Sequence, residues 1–541
     1  MIIKSNLIKL TIFILSFIGI ENSLIAQAWS KSFTAGFVDS NSSFLGGSEV
    51  LQLVSHKKKL YASVGYWQDG NNVWYGGTSS SKGWSQIIRL DNSNGKWLED
   101  HFLGSSYLRP ELLKQVVFTK DALGNPLTSP DTVLIAAGYS PSYITSTVKV
   151  KTFTRNDATG SWAESQIVQG SFPAGENYSI RDVEVYTDSV TGLERIYATV
   201  GIKGVFTGKY NPASASKIDW ISTAEFGPVS IRPLGIALAN NALYFSSGNK
   251  LYLRTDGGTP SYSVAHDFSD LSTTINSAVG GIRGLTTINN PNDTNQALLL
   301  MWCPNGQSKG VIYRLEPNSL GGFTRIYEAK ISVLVQSYLP GSSVSYLLGA
   351  YNEFYEYIDP VTNDTSHLIG FEAQITGGGH QTWNGYYKGA LFAKRNSNIQ
   401  YSIEEINGPI GNSDPALVSN RCYVQSPFAG ENAIYFGGFD PNGNQATNKA
   451  WVFKKDNSFT SINEVEDQNI KLLVYPNPAV KILTIEIETN DCLDYKIISV
   501  LGKTIRSGKV CTKKQIDVSE LSPNMYFLKI GNQTKKFIIQ P

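Results

Sequence analysis

Several things that would narrow the chemistry of this chain are scarce in it. It has 4 cysteines and 5 histidines in 541 residues. Four cysteines do not make a disulfide scaffold. His56, His101, His266, His367 and His380 nowhere take the spacing of metal ligands, so neither a metal nor a cofactor is expected. Charge is balanced, 46 Lys+Arg against 45 Asp+Glu, and no global field gathers nucleic acid or anionic lipid. Any recognition by charge must come from local clusters. A sustained 3.6-residue apolar period is missing from residues 29–456. Long apolar runs are confined to the N-terminus, where Lys4 and Lys9 precede Leu10–Ile20 and then Ala26-Gln27-Ala28. That run is too short to span a bilayer and reads as a signal peptide over residues 1–28, cleaved after Ala26 or Ala28. The mature chain is expected to have no membrane span.

What is present is repetition. An apolar strand ending in small residues recurs as Leu60–Gly65, Val133–Gly138, Ile196–Gly201, Leu243–Gly248, Leu298–Trp302, Leu368–Phe371 and Ala433–Gly438. After it comes a strand closed by Arg-x-acid: Arg89-Leu90-Asp91, Arg155-Asn156-Asp157, Arg254-Thr255-Asp256 and Arg314-Leu315-Glu316. Before it comes an apolar residue and an arginine, at Arg109, Arg181, Arg232 and Arg283. Strand triplets at roughly fifty-residue spacing, with Gly and Asn turns, are the pattern of β-propeller blades. The expected fold is therefore all-β: a seven-bladed propeller over residues 29–456, with four-stranded blades. The seventh repeat shows no fourth strand after Trp451-Val452-Phe453, and Trp29–Val38 is expected to supply it, which removes exposed edges. An array of β-sandwiches is the competing architecture, but it leaves the repeated triplet unexplained. Polar residues 457–471 read as a linker.

Residues 472–541 begin Leu472-Leu473-Val474-Tyr475-Pro476-Asn477-Pro478 and continue as short apolar strands, among them Leu483-Thr484-Ile485, Ile516-Asp517-Val518 and Met525-Tyr526-Phe527-Leu528. This segment resembles the C-terminal sorting domain of the type IX secretion pathway of Bacteroidota. The resemblance implies a small antiparallel sandwich, contact with the type IX machinery, and export across the outer membrane to the cell surface or medium. It also implies removal of the domain and, often, attachment to surface lipopolysaccharide. Asn524 stands where the family usually has Gly, and asparagine tolerates a left-handed turn conformation. A two-residue turn at Leu501-Gly502 would set Cys492 opposite Cys511, close enough for a disulfide in an exported protein. Cys303 and Cys422 read as buried thiols.

Candidate functional residues fall into three sets. Arg109, Arg181, Arg232 and Arg283 open the presumed innermost strands, and two roles are open to them. They form a guanidinium ring at the channel mouth that suits a carboxylate, sulfate or phosphate, or they bond the carbonyls of neighbouring blades. Trp67, Trp74, Trp383 and Tyr386 lie in two long loops expected on the same face, where an aromatic ring beside Asn, Gln and Asp suits a sugar. As catalytic groups Glu184, Asp182 and His380 come forward, with Glu111 beside the first of the arginines as a further acid. An arginine cluster on a propeller is similar to sialidases, but Arg254-Thr255-Asp256-Gly257-Gly258 with Tyr262 misses their Asp-box pattern. Asp440-Pro441-Asn442-Gly443-Asn444 starts like a calcium loop, yet its twelfth position is Trp451 rather than Glu. The sequence thus points to a secreted or surface binding protein for a glycan or other extracellular polymer. An enzyme on an anionic glycan and a protein-interaction platform stand as alternatives.

Overall fold

The computed structural model describes residues 29–66, 85–139, 148–170, 179–276, 280–304, 310–349, 353–359, 362–375, 380–382, 385–387, 390–406, 417, 419–439, 449–456, 472–487, 492–499, 503–530 and 533–540. The signal peptide, the linker, and the loops carrying Trp67, Trp74, Trp383 and Asp440 lie outside these residues, as do the side chains of His380 and Tyr386. Two compact units divide the chain, Met1–Asn457 and Ser458–Pro541.

In the first unit, strand β1 (Trp29–Thr34) and a ribbon of β2 (Phe37–Val38) and β3 (Phe44–Leu45) precede a four-strand meander. Its strands are β4 (Glu49–His56), β5 (Lys59–Gly65), β6 (Gln86–Leu90) and β7 (Leu98–Phe102), hydrogen-bonded in that order. The meander recurs as β8 (Arg109–Lys120), β9 (Pro126–Tyr139), β10 (Val148–Arg155) and β11 (Trp162–Gly170). It recurs again as β12 (Ile180–Thr187), β13 (Glu194–Val200), β14 (Val205–Tyr210) and β15 (Ile218–Trp220). Next come β16 (Pro233–Ala239), β17 (Ala242–Ser247), β18 (Lys250–Thr255) and β19 (Ser261–Asp267), then β20 (Gly281–Asn289), β21 (Gln296–Cys303), β22 (Val311–Pro317) and β23 (Phe323–Lys330).

A short helix, Ile331–Tyr338, leads into an irregular set. Here β24 (Val344–Gly349) and β25 (Tyr355–Ile358) both pair with the long β26 (Thr365–Ile375). A ribbon of β27 (His380–Thr382) and β28 (Gly385–Tyr387) follows, and β29 (Ala390–Arg395) pairs with β26 and with β30 (Tyr401–Ile406). The final set is β31 (Ser419–Gln425), β32 (Ala433–Phe439) and β33 (Trp451–Asp456). Its fourth strand is β1, antiparallel to β33 from Trp29↔Lys455 to Thr34↔Trp451.

The recurring apolar segments are the second strands β5, β9, β13, β17, β21, β26 and β32. They are buried on both faces, as at Leu134, Ile196 and Leu299, which is why they read as continuous apolar runs rather than alternations. Asx turns form many of the hairpins, because a side-chain carbonyl replaces a backbone acceptor at the tip. Asp121 accepts from the N–H of Leu123, Asp188 from that of Val190, and Asn318 from that of Leu320. First strands adjoin in sequence, β4 beside β8, then β12, β16 and β20. With β21 beside β24, β26 beside β31 and β31 beside β4, the neighbours return to their start. Propeller-like is the apt description.

The second unit holds the three-stranded sheet β34 (Leu472–Tyr475), β35 (Ile482–Ile487) and β38 (Lys513–Asp517). It also holds the four-stranded sheet β37 (Thr504–Val510), β36 (Leu493–Ser499), β39 (Asn524–Ile530) and β40 (Gln533–Ile539). Leu483, Ile485, Ile497, Leu528 and Phe537 share one core. Leu493 pairs with Val510, and the flanking Cys492 and Cys511 are joined by a disulfide. One sequence expectation is corrected here. Asn524 opens β39 in ladder register with Ile539, and it is not among the residues of positive φ. No left-handed turn is needed, because the strand itself begins at this residue. Among the described residues no helix is long and apolar enough to cross a membrane.

Candidate functional site

Each first strand carries a register shift near its start. The shifts fall at Val50/Gln52, Pro110/Leu112, Ile180/Val183, Pro233/Gly235, Arg283/Thr286, Val344/Tyr346 and Asn420/Cys422. A bulge bends the strand and re-aims the side chains beside it. In β20 it includes Gly284, whose φ of 60° a residue with a Cβ adopts only with strain. Beside these bulges charged side chains from distant segments meet.

Glu111, 1% exposed, is the meeting point. Arg109 donates to its Oε1 from Nε (3.0 Å) and Nη2 (2.8 Å). Its Oε2 faces Nη1 of Arg181 at 3.7 Å and of Arg232 at 4.0 Å. Glu49 lies 3.5 Å from Arg109 and 3.6 Å from Arg421, and Arg421 lies 3.7 Å from Glu372. Arg283 donates from Nε to the carbonyl of Gly349 (2.9 Å). Burial alone would raise the Glu111 carboxyl, but Arg109, Arg181, Arg232 and a hydrogen bond from Ser179 hold it well below the usual carboxylate range.

Of the four arginines expected at the strand starts, Arg181, Arg232 and Arg283 are buried and Arg109 is half-buried. Three of them are gathered on one internal carboxylate, and the fourth is held by a backbone carbonyl. Sequence reasoning missed Glu49, Glu372 and Arg421 as members of this ring. A signal was available: Glu49 and Arg421 stand eleven and twelve residues ahead of the apolar strands at Leu60 and Ala433, as Arg232 stands eleven ahead of Leu243.

A cavity of roughly 540 Å³ follows the middle of the first strands. Gln52, Gln115, Asp182, Thr286, Glu353 and Tyr423 are among its lining residues, with Arg181 and Arg421 at the ring. Within it, Lys114 extends from β8 into three carboxylates. Its Nζ is 2.9 Å from Asp182, 2.5 Å from Glu184 and 2.7 Å from Glu353. Asp182 is fixed further by the N–H groups of Val183 (2.9 Å) and Ile236 (2.8 Å). Burial opposes the charge on Lys114, but the three carboxylates outweigh it and hold the lysine protonated. Burial raises the Glu184 carboxyl, Lys114 pulls it down, and Asp182 and Glu353 push it up, leaving it at about 7. The carboxylate oxygens of Asp182, Glu184 and Glu353 lie within 4.8 Å of one another, with the lysine ammonium between them.

Asp182 and Glu184 therefore do meet, on the ammonium of Lys114, and Asp182 lines the cavity together with Lys114 and Glu353. Lys114 and Glu353 were not foreseen: Lys114 sits on an unremarkable alternating strand, and Glu353 comes from the one set that departs from the repeat.

The second unit carries a different kind of site. Residues 473–540 match the family model described as the secretion system C-terminal sorting domain. The C-terminal unit is a type IX sorting domain. Through this sorting domain the protein engages the type IX machinery and is exported to the cell surface or secreted. No curated protein matches the chain. Among solved structures it is similar to an α-L-arabinanase of Penicillium chrysogenum in complex with arabinobiose, at 12% identity and TM-score 0.33. That match covers 64% of this chain and 93% of the arabinanase. It is also similar to the α-L-arabinofuranosidase Arb93A of Fusarium graminearum, at 11% identity and TM-score 0.35, over 79% of this chain and 99% of that one. PorZ, a surface component of the type IX secretion system of Porphyromonas gingivalis, matches at 10% identity and TM-score 0.21, over 90% of this chain and 75% of its own.

Proposed function

We propose that this is an exported binding protein whose seven blades enclose a ligand site for a glycan or another extracellular polymer. In this reading a signal peptide occupies residues 1–28, the propeller 29–456, a linker 457–471 and a sandwich-like sorting domain 472–541. The central cavity carries the proposal: its volume falls in the range of small-ligand sites, and amide, hydroxyl, carboxylate and aromatic groups converge on it. Such a lining suits a polyhydroxylated ligand. The arginine ring is assigned to holding the blades together, because its charge faces Glu49, Glu111 and Glu372. Trp67, Trp74, Trp383 and Tyr386 are assigned to stacking against the polymer over the loop face. The test is a glycan array with the mature protein. Trp74→Ala combined with Trp383→Ala is expected to lose at least about tenfold in retention, as for two lost stacking contacts, with Tm nearly unchanged. Equal retention by the variant removes these residues from the site.

One observation favours a second reading, hydrolysis of a glycan: the close carboxylates of Asp182 and Glu184, with Glu184 able to carry a proton near neutral pH. Lys114 stands between these groups, where a glycosidic oxygen would need to sit, so binding is preferred. Release of new reducing ends from any array-positive glycan, abolished by Glu184→Gln, would reverse that preference.

A further inference from the structure

In six of the sets the first strand is continuous, whereas the set built on β26 splits it into β24 and β25. Just ahead of β25, Phe354 is buried, and its N–H donates to the Thr286 hydroxyl of β20 at 2.8 Å. This anchor turns Glu353 into the cavity, where it meets Lys114. The pair is unusual in what it joins. β8 adjoins β4 and β12, whereas β25 adjoins β26 and β31. Lys114 and Glu353 therefore come from strands that are not neighbours around the ring, and their contact crosses the cavity. Of the three carboxylates on Lys114, Glu353 is the most open: its side chain is 48% exposed, against 26% for Glu184 and 7% for Asp182.

We propose that the Lys114–Glu353 ion pair is a strap across the central cavity. When closed, it ties β8 to Glu353 ahead of β25; when released, it gives a ligand access to Asp182 of the cavity lining and to Glu184, which shares the Lys114 ammonium. This rests on the reading of the cavity as the binding site. The charges around the strap give it a direction. Lys114 comes from β8, Asp182 and Glu184 from β12, and Glu353 from ahead of β25. The next charged group outward, Glu356, faces His367 of β26 at 3.8 Å, a histidine that burial keeps neutral. Inward lie Arg181 and Glu111. Deprotonating Glu184 adds a negative charge beside two others that share one ammonium. The repulsion falls on the least enclosed member, Glu353. Because Glu184 holds its proton up to about pH 7, above its ordinary range, the closed form is favoured below that pH and weakened as pH rises through it.

Hydrogen–deuterium exchange of the full chain without ligand, at pH 6 and pH 8 and corrected for intrinsic exchange chemistry, tests this. Glu353→Gln is expected to speed exchange of the Phe354–Ile358 amides by about tenfold at both pH values, as local opening replaces a charge-assisted contact. The unaltered protein should show faster exchange there at pH 8 than at pH 6. Glu184→Gln should remain slow at both. Lys114→Met should reproduce Glu353→Gln, and if it fails to fold, Glu353→Gln decides alone. Unchanged exchange at 354–358 in Glu353→Gln overturns the strap, as does acceleration spread equally over β5 and β13. The measurement needs no ligand, so its failure leaves the binding proposal standing, and failure of the glycan array leaves the exchange pattern standing.

Discussion

Two sets of arginines run through the propeller-like unit, and they are held differently. On third strands, Arg89, Arg155, Arg254 and Arg314 each bond the acid two residues on, at 2.6 to 2.9 Å. Several also reach back to the preceding set: Arg155 to Asp100, Arg254 to Glu225, and likewise Arg395 to Glu328, at 2.7 to 2.8 Å. These are direct, local clasps. At the centre, apart from the tight Arg109–Glu111 pair and the backbone bonds of Arg109 and Arg283, the carboxylate–guanidinium distances are 3.5 to 4.0 Å, and one carboxylate serves several guanidinium groups. That distance is ion pairing without a direct hydrogen bond. Repetition of a residue type therefore does not imply repetition of a role. The clasps are a pairwise device copied from set to set. The ring is a shared charge whose members depend on one another.

If so, substitutions should rank by how many partners they strip. Glu111→Gln removes the buried charge that three guanidinium groups share, and is expected to cost about 3–5 kcal/mol, read as a lowered urea midpoint. Its pH signature is specific. Because the folded pKa lies below the unfolded value of 4.5, the Glu111 contribution is complete above about pH 4.5 and is lost as pH falls toward the depressed folded value. The variant should lack that part of the acid limb. Asp100→Asn weakens the hold on Arg89, Arg155 and Trp162, but Arg89 and Arg155 keep their i+2 acids, so about 2–3 kcal/mol is expected. Asp91→Asn, at a clasp acid 34% exposed, should cost about 0–1 kcal/mol and less still in high salt. A larger loss at Asp100 than at Glu111 would break the distinction between clasp and ring.

The same contrast explains what could be read from the chain. Arg-x-acid is legible because residues two apart share one face of a strand, so the partner is written beside the arginine. The doubly buried second strands are legible because continuous apolar runs survive any detail of packing. Pairing of β1 with β33 followed from a missing strand at one end of the repeat and a spare one at the other. The cavity was less accessible. Asp182 and Glu184 were singled out beside Arg181, and yet their partner is Lys114, about seventy residues away on the neighbouring set. Glu353 is farther still, and it enters only because the first strand of its set breaks.

Local regularity, then, was settled by sequence alone: strand periodicity, turn chemistry, the in-strand salt bridges and the sorting segment with its facing cysteines. Each of these depends on residues close together in the chain or opposed across one hairpin. Tertiary structure decided which charges become neighbours at the axis. A one-residue bulge in each first strand, together with one interrupted strand, sets the direction of side chains drawn from segments hundreds of residues apart, and no local pattern encodes where those directions cross.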